Sequence, residues 1–234
     1  MGTPLRQQRR GKGSGNYKAS SHKGKGKIEQ KNAEITGTVT DIQHDPSRTA
    51  PVAQIRYEDG ETRHIVAPEN LTVGDEIQLG ISAPIEEGNT LPIKEIPEGV
   101  PIHNIELQPN SGGELVRAGG TYAFVVTHEQ DGTRIKLPSG SFKKIGHNCR
   151  ATVGKVAGGG RKDKPFVKAG NKSKAMKGKG KPYPKVSAVA MNAADHPFGG
   201  SAKPGQPKTV SQRASPGSKV GNIGAKRSGQ KKDN

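Results

Sequence analysis

The sequence predicts an all-β fold of two small domains, with long extended basic arms at the N- and C-terminal ends. Between residues 34 and 157, short apolar runs alternate with polar residues and are separated by glycine-containing turns. Only 29% of the chain is apolar and 3% aromatic, and it contains 33 Gly and 17 Pro among 234 residues. Such a composition cannot support one core spanning the chain, because apolar burial must offset chain entropy. We therefore expect small folded modules and segments that become ordered only against a partner.

The net charge of +17 is distributed unevenly along the chain. Residues 1–31 carry +8, residues 141–181 carry +12 and residues 182–234 carry +7, whereas residues 32–140 carry −10. Basic segments of this density are typical of proteins that bind a polyanion, because Lys and Arg release counterions when they neutralise phosphates. A solvated charge run would account for one tail, but three separate basic segments favour nucleic acid.

Cysteine and histidine usage argues against a protein-held metal. The single cysteine, Cys149, excludes an internal disulfide framework and a cysteine zinc cage, and the histidines outside residues 185–200 are scattered singly. We expect no cofactor other than magnesium associated with RNA. The sequence has no apolar run of about 18 residues and no signal-peptide pattern, which predicts a cytoplasmic protein without membrane association.

Residues 1–33 predict a basic N-terminal extension in which bases alternate with Gly and Ser. We expect an extended arm whose cations neutralise phosphates and whose rings can stack on a base. The alternative is a flexible tail. The candidate RNA-binding residues of this arm are Arg6, Arg9, Arg10, Lys12, Lys18 and His22.

Two β domains are expected next. In residues 34–97, Asp59-Gly60 separates two alternating runs and predicts a tight hairpin. About five short strands in this range are typical of an oligonucleotide-binding (OB) barrel, with no helix. In residues 98–157, turns at Asp131-Gly132 and at 138–140 predict further hairpins, and we expect an SH3-like barrel there.

Residues 158–234 predict an extended basic arm, because the segment is of low complexity, interrupted by prolines and without regular apolar periodicity. Arg can clamp a phosphate with two hydrogen bonds, and Lys acts as a mobile point charge. Contacts should be mostly to phosphate and sugar. The candidate anchors in the second domain and the arm are Arg150, Lys155, Arg161, Lys162, Lys164, Lys168, Lys172, Lys174 and Lys177.

The run KVSAVAMNAADHPFGG (185–200) places one imidazole in a glycine-flanked loop after a strand-like piece. Pro197 favours an extended backbone at His196, so the adjacent Asp195 and His196 are expected to point to opposite sides. We interpret His196 as a contact to RNA; a buried structural histidine and an acid–base residue are the alternatives. Asp195 has two interpretations. It could coordinate an RNA-bound magnesium or accept a hydrogen bond from a base amino group, or it could form only a turn or a local ion pair.

MNAADHPFGG (191–200) resembles the MN-x-x-DHP-x-GG signature of the universal large-subunit ribosomal proteins of the "L two" family, in their archaeal form. The resemblance covers nearly the whole chain. Other similar stretches are GTVTDIQHDPSRTAPVA (37–53), EGVPIHNIEL (98–107), RAGGTYA (117–123), LPSG (137–140), CRATVGKV (149–156), GGGRKDKPFVKAGNK (158–172) and PKTVS (207–211). One departure is Ser201, which directly follows the signature where archaeal relatives continue a glycine-rich run, so the path of residues 200–207 is not predicted.

The resemblance implies an OB barrel, an SH3-like barrel and extensions buried in large-subunit ribosomal RNA. It implies a structural, non-enzymatic role near the peptidyl transferase centre that supports subunit association, transfer-RNA binding and peptide-bond formation. The implied partners are that RNA, other ribosomal proteins and the small subunit, with one copy per ribosome. The signature residues expected to contact RNA are Met191, Asn192, Asp195, His196, Phe198, Gly199 and Gly200.

An enzyme and a free-standing RNA-binding factor are the two alternative functions. An enzyme would use His196 as acid or base, but no nucleophile, P-loop or metal-ligand cluster stands at a recognisable spacing. A free-standing RNA chaperone or translation factor would bind many RNAs reversibly. The arms argue against it, because they have no expected fold without a fixed scaffold.

Overall fold

A computed structural model describes residues 3–201 and 209–225. The chain divides into two compact units: Ser20–Lys168 forms one, and the described residues before and after it form the other. The stretch 202–208, which includes most of the segment whose path was not predicted and the first residues of PKTVS, lies outside the described residues.

The unit Ser20–Lys168 is built on one ten-stranded sheet. The strands are β1 Ile35–Gln43, β2 Val52–Tyr57, β3 Thr62–Val66, β4 Glu76–Leu79, β5 Thr90–Pro92, β6 Pro101–His103, β7 Ala123–Glu129, β8 Gly132–Lys136, β9 Phe142–Ile145 and β10 Arg150–Val153. Their order in the sheet is β3-β2-β1-β4-β5-β10-β6-β7-β8-β9. The prediction of a mainly β protein is confirmed at this level.

The turns predicted from dipeptides join neighbouring strands. Asp59-Gly60 connects β2 to β3, and Gly60 has a φ of 82°, a conformation in which glycine avoids the steric penalty of a side chain. Asp131-Gly132 connects β7 to β8, and residues 138–140 connect β8 to β9. Local turn chemistry therefore determines these three hairpins.

Besides a small apolar cluster of Ile28, Ala50, Val52, Val66 and Val156, two larger apolar cores lie along the sheet. One is formed by side chains of β1–β4, such as Val39, Ile55 and Ile77. The other contains Ala83, Leu91, Ile93 and Ile96 together with buried residues of β6–β10. The cores thus divide the chain near residue 80, earlier than the boundary after residue 97 that the sequence predicts. The reason is non-local: β5 pairs with β10, which brings residues 90–96 into the later core.

Part of the predicted N-terminal arm belongs to this unit. Ile28 is buried beside His64 of β3. The buried side-chain amide of Gln30 donates to the hydroxyl groups of Thr90 (2.8 Å) and Thr152 (2.7 Å). Residues 28–31, which the sequence assigns to the N-terminal extension, are thus attached to the sheet by an apolar side chain and by an amide nitrogen that donates to two hydroxyl groups.

The second unit contains two short helices and a small parallel pair. Helix α1 spans Arg6–Gly11, helix α2 spans Ala169–Gly178, and β11 (Thr209–Val210) pairs with β12 (Asn222–Ile223). The expectation of no regular structure after residue 158 is therefore wrong at α2. Residues 166–181 lack proline and contain six lysines, which are good helix formers, so a helix can form there while the flanking prolines forbid one outside this stretch.

Candidate nucleic-acid interface

The basic residues of both helices are available to solvent. Arg9 and Arg10 occupy the last turn of α1 and are exposed. Helix α2 contains no buried residue at all, and its Lys172, Lys174 and Lys177 are exposed. Lys12 and Lys18 are also exposed. A helix that fully buries no residue gains little stability from a protein core, and its exposed lysines are placed where they can meet a polyanion.

One cavity brings several predicted site residues together from opposite ends of the sequence. It has a volume of about 800 Å3 and is formed within the unit that contains α1 and α2. The predicted residues that line it are Arg6, Arg10, Lys172, Met191, Asp195 and His196. Tyr183 and Lys185, which were not predicted as site residues, also line the cavity. The Lys172 ammonium lies 5.6 Å from the Tyr183 ring centre, which combines a cation with an aromatic face.

The signature residues 191–200 form a closed turn and not the extended loop that the sequence predicts. The backbone N–H groups of Asp195 and His196 both donate to the carbonyl of Asn192, at 3.0 and 3.2 Å. The Gly200 N–H donates to the Met191 carbonyl at 3.0 Å. The strand expected before it is also wrong, since Ala188–Ala190 is a single 3-10 turn.

The two glycines are required by this closure. A Cβ atom on Gly199 would collide with the carbonyl oxygens of Met191 and Asn192. Gly200 has a φ of +91°, where any side chain would be strained. The close backbone approach predicted for these glycines therefore occurs within the protein, against the carbonyls of Met191 and Asn192.

His196 is 9% exposed and bound inside the turn. Its Nδ1 accepts a hydrogen bond from the Phe198 N–H at 3.0 Å, and the two ring centres are 5.2 Å apart. These contacts favour the structural alternative for the Nδ1 side of the ring, while contact with RNA stays a prediction. Asp195 accepts from the Thr3 hydroxyl at 2.8 Å, so Asp195 and His196 are hydrogen-bonded to different partners.

Arg150 does not have the predicted role of a phosphate anchor. Its guanidinium is 9% exposed and donates to the Glu106 carboxylate at 2.7 Å, to the Lys31 carbonyl at 2.7 Å and to the Asn32 side chain. A buried guanidinium bound to three protein acceptors has no free face for RNA. Its position in β10, between β5 and β6, explains the burial.

The carboxylate of Glu106 completes this buried pair. Burial alone would raise the pKa of Glu106, but hydrogen bonds from Arg150 and its positive charge hold that pKa below the usual value. The carboxylate also accepts the backbone N–H groups of Asn110 and Gly112. The pair is therefore ionised and structural.

The remaining predicted anchors of this unit are on its surface. Lys155 is exposed, and its ammonium lies 5.1 Å from the Tyr122 ring centre. The other exposed anchors are His22, Arg161, Lys162, Lys164 and Lys168. Their placement is compatible with phosphate contacts, which stay predictions.

Within residues 3–201 and 209–225, no three His, Cys, Asp or Glu side chains are placed to share a metal ion. No helix in the same ranges is long and apolar enough to cross a membrane.

Comparison with known proteins identifies the family. A family model described as "Ribosomal Proteins L2, RNA binding N-terminal domain" matches residues 3–79, and one described as "Ribosomal Proteins L2, C-terminal domain" matches residues 86–221. The chain is 53% identical over 236 residues to the large ribosomal subunit protein uL2 of Haloarcula marismortui, covering 98% of each chain. It is 52% identical over 241 residues to uL2 of Methanobrevibacter smithii, covering 99% of this chain and all of that one. The chain belongs to the ribosomal protein L2 family.

Proposed function

We propose that this protein is a structural component of the large subunit of the cytoplasmic ribosome and binds large-subunit ribosomal RNA. The observation that carries the proposal is the cavity of about 800 Å3, in which cations from α1, from α2 and from Lys181 and Lys185 converge beside the rings of Tyr17 and Tyr183. Converging cations and rings suit a folded RNA, which offers both phosphates and unstacked bases. Neighbouring ribosomal proteins are its further partners.

The charge and burial of the two units support different roles: the helical unit would bind RNA, and the sheet unit would act as a folded support. Helices α1 and α2 contain no buried residue and are rich in Lys and Arg, so RNA phosphates would stabilise them where a protein core does not. The sheet unit has its own apolar cores and can fold without RNA. We propose that the strands around the core of β1–β4 form an OB barrel and the strands around the later core, including β5, an SH3-like barrel, which together hold the arms in position.

A more specific role is proposed for the signature turn. We propose that residues 191–200 pack into RNA near the peptidyl transferase centre and that one copy per ribosome supports subunit association, transfer-RNA binding and peptide-bond formation. RNA would perform the chemistry, because the Nδ1 atom of His196 is occupied by the Phe198 amide and Asp195 is bound to Thr3. Any magnesium would be held by RNA phosphates, with protein carboxylates such as Asp195 contributing at most one ligand.

The test is fractionation of a cell lysate on a sucrose gradient after a high-salt wash, with this protein followed by mass spectrometry. We expect the protein to stay with large subunits, because many phosphate contacts and a protein core embedded in RNA resist salt together. Release to the top of the gradient would contradict the proposal and favour a free-standing RNA chaperone or translation factor. His196→Gln separates the enzyme alternative: intact assembly with abolished peptide-bond formation would favour chemistry at His196.

A further inference from the structure

A surface on strands β7–β9 carries exposed aromatic rings that neither apolar core uses. Phe142 is 51% exposed and Phe124 is 38% exposed, both on well-paired strands of the sheet. A folded domain normally buries phenylalanine, so two exposed rings on one sheet face indicate a binding surface. This surface lies outside the cavity and the signature turn described above.

Strand register places these rings in one row. Lys136 of β8 is directly opposite Phe124 of β7 on one side and Phe142 of β9 on the other. Directly opposite residues of antiparallel strands point to the same face, so the lysine stem lies between the two rings. Two inter-strand spacings separate the rings, a distance of roughly 10 Å.

Further contacts extend the row at both ends. The Tyr122 ring meets the Phe124 ring edge to face, with centres 5.1 Å apart. The Lys155 ammonium lies 5.1 Å from the Tyr122 ring centre, and the Arg134 guanidinium lies 4.7 Å from that of Phe142. Rings and cations therefore alternate across the face. We call Tyr122, Phe124, Arg134, Lys136, Phe142 and Lys155 the β7–β9 platform.

The concave part of the platform contains no acidic residue. A shallow cavity of about 300 Å3 lies over Tyr122, Phe124 and Lys136 and is closed by the turn at 137–140. The acidic side chains at the far end of the β7–β8 hairpin, Glu129 and Asp131, are paired with Lys144 at 3.0 and 3.6 Å. The platform is thus positive in an otherwise acidic part of the sequence.

We propose that the β7–β9 platform binds an unpaired segment of RNA by stacking its bases on the rings and pairing its phosphates with the adjacent cations. This inference rests on the proposed function and identifies a second RNA contact on the sheet unit. Every base presents a flat π face, whereas a duplex hides those faces between neighbouring pairs. A protein partner would have to match both exposed rings and three cations, which an acidic peptide or an apolar surface does only in part.

The experiment uses the full chain with a short unpaired oligouridine RNA and with a blunt RNA duplex, each cross-linked by ultraviolet light and digested with trypsin. The tryptic peptides 118–134 and 137–143 contain Tyr122, Phe124 and Phe142. We expect adducts on these peptides with the unpaired RNA and far fewer with the duplex. The double variant Phe124→Ala/Phe142→Ala should lower platform adducts at subsaturating RNA by roughly fivefold or more, because the loss of even one base-stacking ring weakens binding by about that factor.

Ile81→Ala is the matched control, because it truncates another exposed apolar side chain (58% exposed) of the same unit. Platform adducts should be unchanged in that variant. Adducts confined to the basic arms would overturn the platform while leaving the proposed function intact. Absence of any adduct, together with release from large subunits on the gradient, would overturn the proposed function as well. In isolated subunits, a cross-link from Lys136 to a protein without an RNA adduct would overturn the RNA assignment in favour of a protein contact.

Discussion

His103 of β6 has a fully buried ring, with its Nδ1 at 3.0 Å from the carbonyl oxygen of Gly154. Because a carbonyl only accepts, Nδ1 must carry the proton and donate. The Nε2 atom is buried without a hydrogen-bond partner among the described residues. Burial lowers the pKa of His103 to about 4, since a second proton would place an unpaired charge in the core.

This histidine predicts a pH dependence of stability. Between pH 4 and the ordinary histidine pKa of 6.5, the unfolded chain binds a proton at this ring that the folded chain does not. The free energy of unfolding therefore rises with pH across that window by up to about 3 kcal/mol. Above the window, this contribution of His103 is complete. We expect His103→Asn, whose amide can still donate to Gly154, to lose this rise. Urea unfolding followed by circular dichroism from about pH 4.5 to 7.5 measures both slopes, and equal slopes would contradict the prediction.

At the scale of elements, the Glu106–Arg150 pair connects three segments that are distant in sequence. Arg150 belongs to β10, Glu106 follows β6, and the guanidinium also binds the backbone of Lys31 in the N-terminal segment. The carboxylate is 0% exposed and accepts from the loop at Asn110 and Gly112. Removal of one member of such a pair leaves the other buried and uncompensated.

Glu106→Gln should therefore destabilise the sheet unit by roughly 3 kcal/mol or more, because the Arg150 charge loses its buried counterion. The midpoint of urea unfolding measures the effect. Glu95→Gln is the control, since Glu95 forms a solvent-exposed ion pair with Lys94 at 3.4 Å and its loss should change little. Equal midpoints for the two variants would show that the buried pair does not hold these elements together.

For the whole molecule, the segregation of charge matters more than its total. The middle of the chain, residues 32–140, carries −10 and contributes most of the sheet, whereas the flanking segments carry the positive charge. The acidic sheet surface would repel RNA, except where cations such as those of the β7–β9 platform interrupt it. RNA affinity should therefore depend mainly on the residues before 32 and after 140.

The lysines of α2 should contribute measurably to the salt dependence of RNA binding. In Lys172→Gln/Lys174→Gln/Lys177→Gln, we expect the slope of log affinity against log salt to become shallower by roughly two to three, since each neutralised phosphate contributes about 0.7–0.9. Filter binding of the full chain to a large-subunit RNA fragment over a salt series measures it. Lys94→Gln, in the acidic part of the sheet unit, should leave the slope unchanged. An unaltered slope in the triple variant would mean that α2 does not contact RNA.

The features predictable from sequence are those encoded by neighbouring residues or by family motifs. Asp-Gly pairs and alternating runs predict the hairpins β2–β3 and β7–β8, and the charge pattern predicts a polyanionic partner. The signature at 191–200 identifies the family, although its closed turn was not anticipated. Pro197 favours an extended backbone there, but the N–H groups of Asp195, His196 and Gly200 donate to carbonyls three to nine residues earlier and close the turn.

The features that could not be predicted from sequence depend on contacts between residues far apart in the chain. Arg150 looks like any other arginine of a basic segment, and only the insertion of β10 between β5 and β6 buries it against Glu106. The cavity shared by α1 and the signature turn, and the ring row on β7–β9, likewise arise from pairing and register. Composition and turn residues determine local conformation and net charge, whereas the burial of a given side chain is set by the partner strand that the whole fold brings beside it.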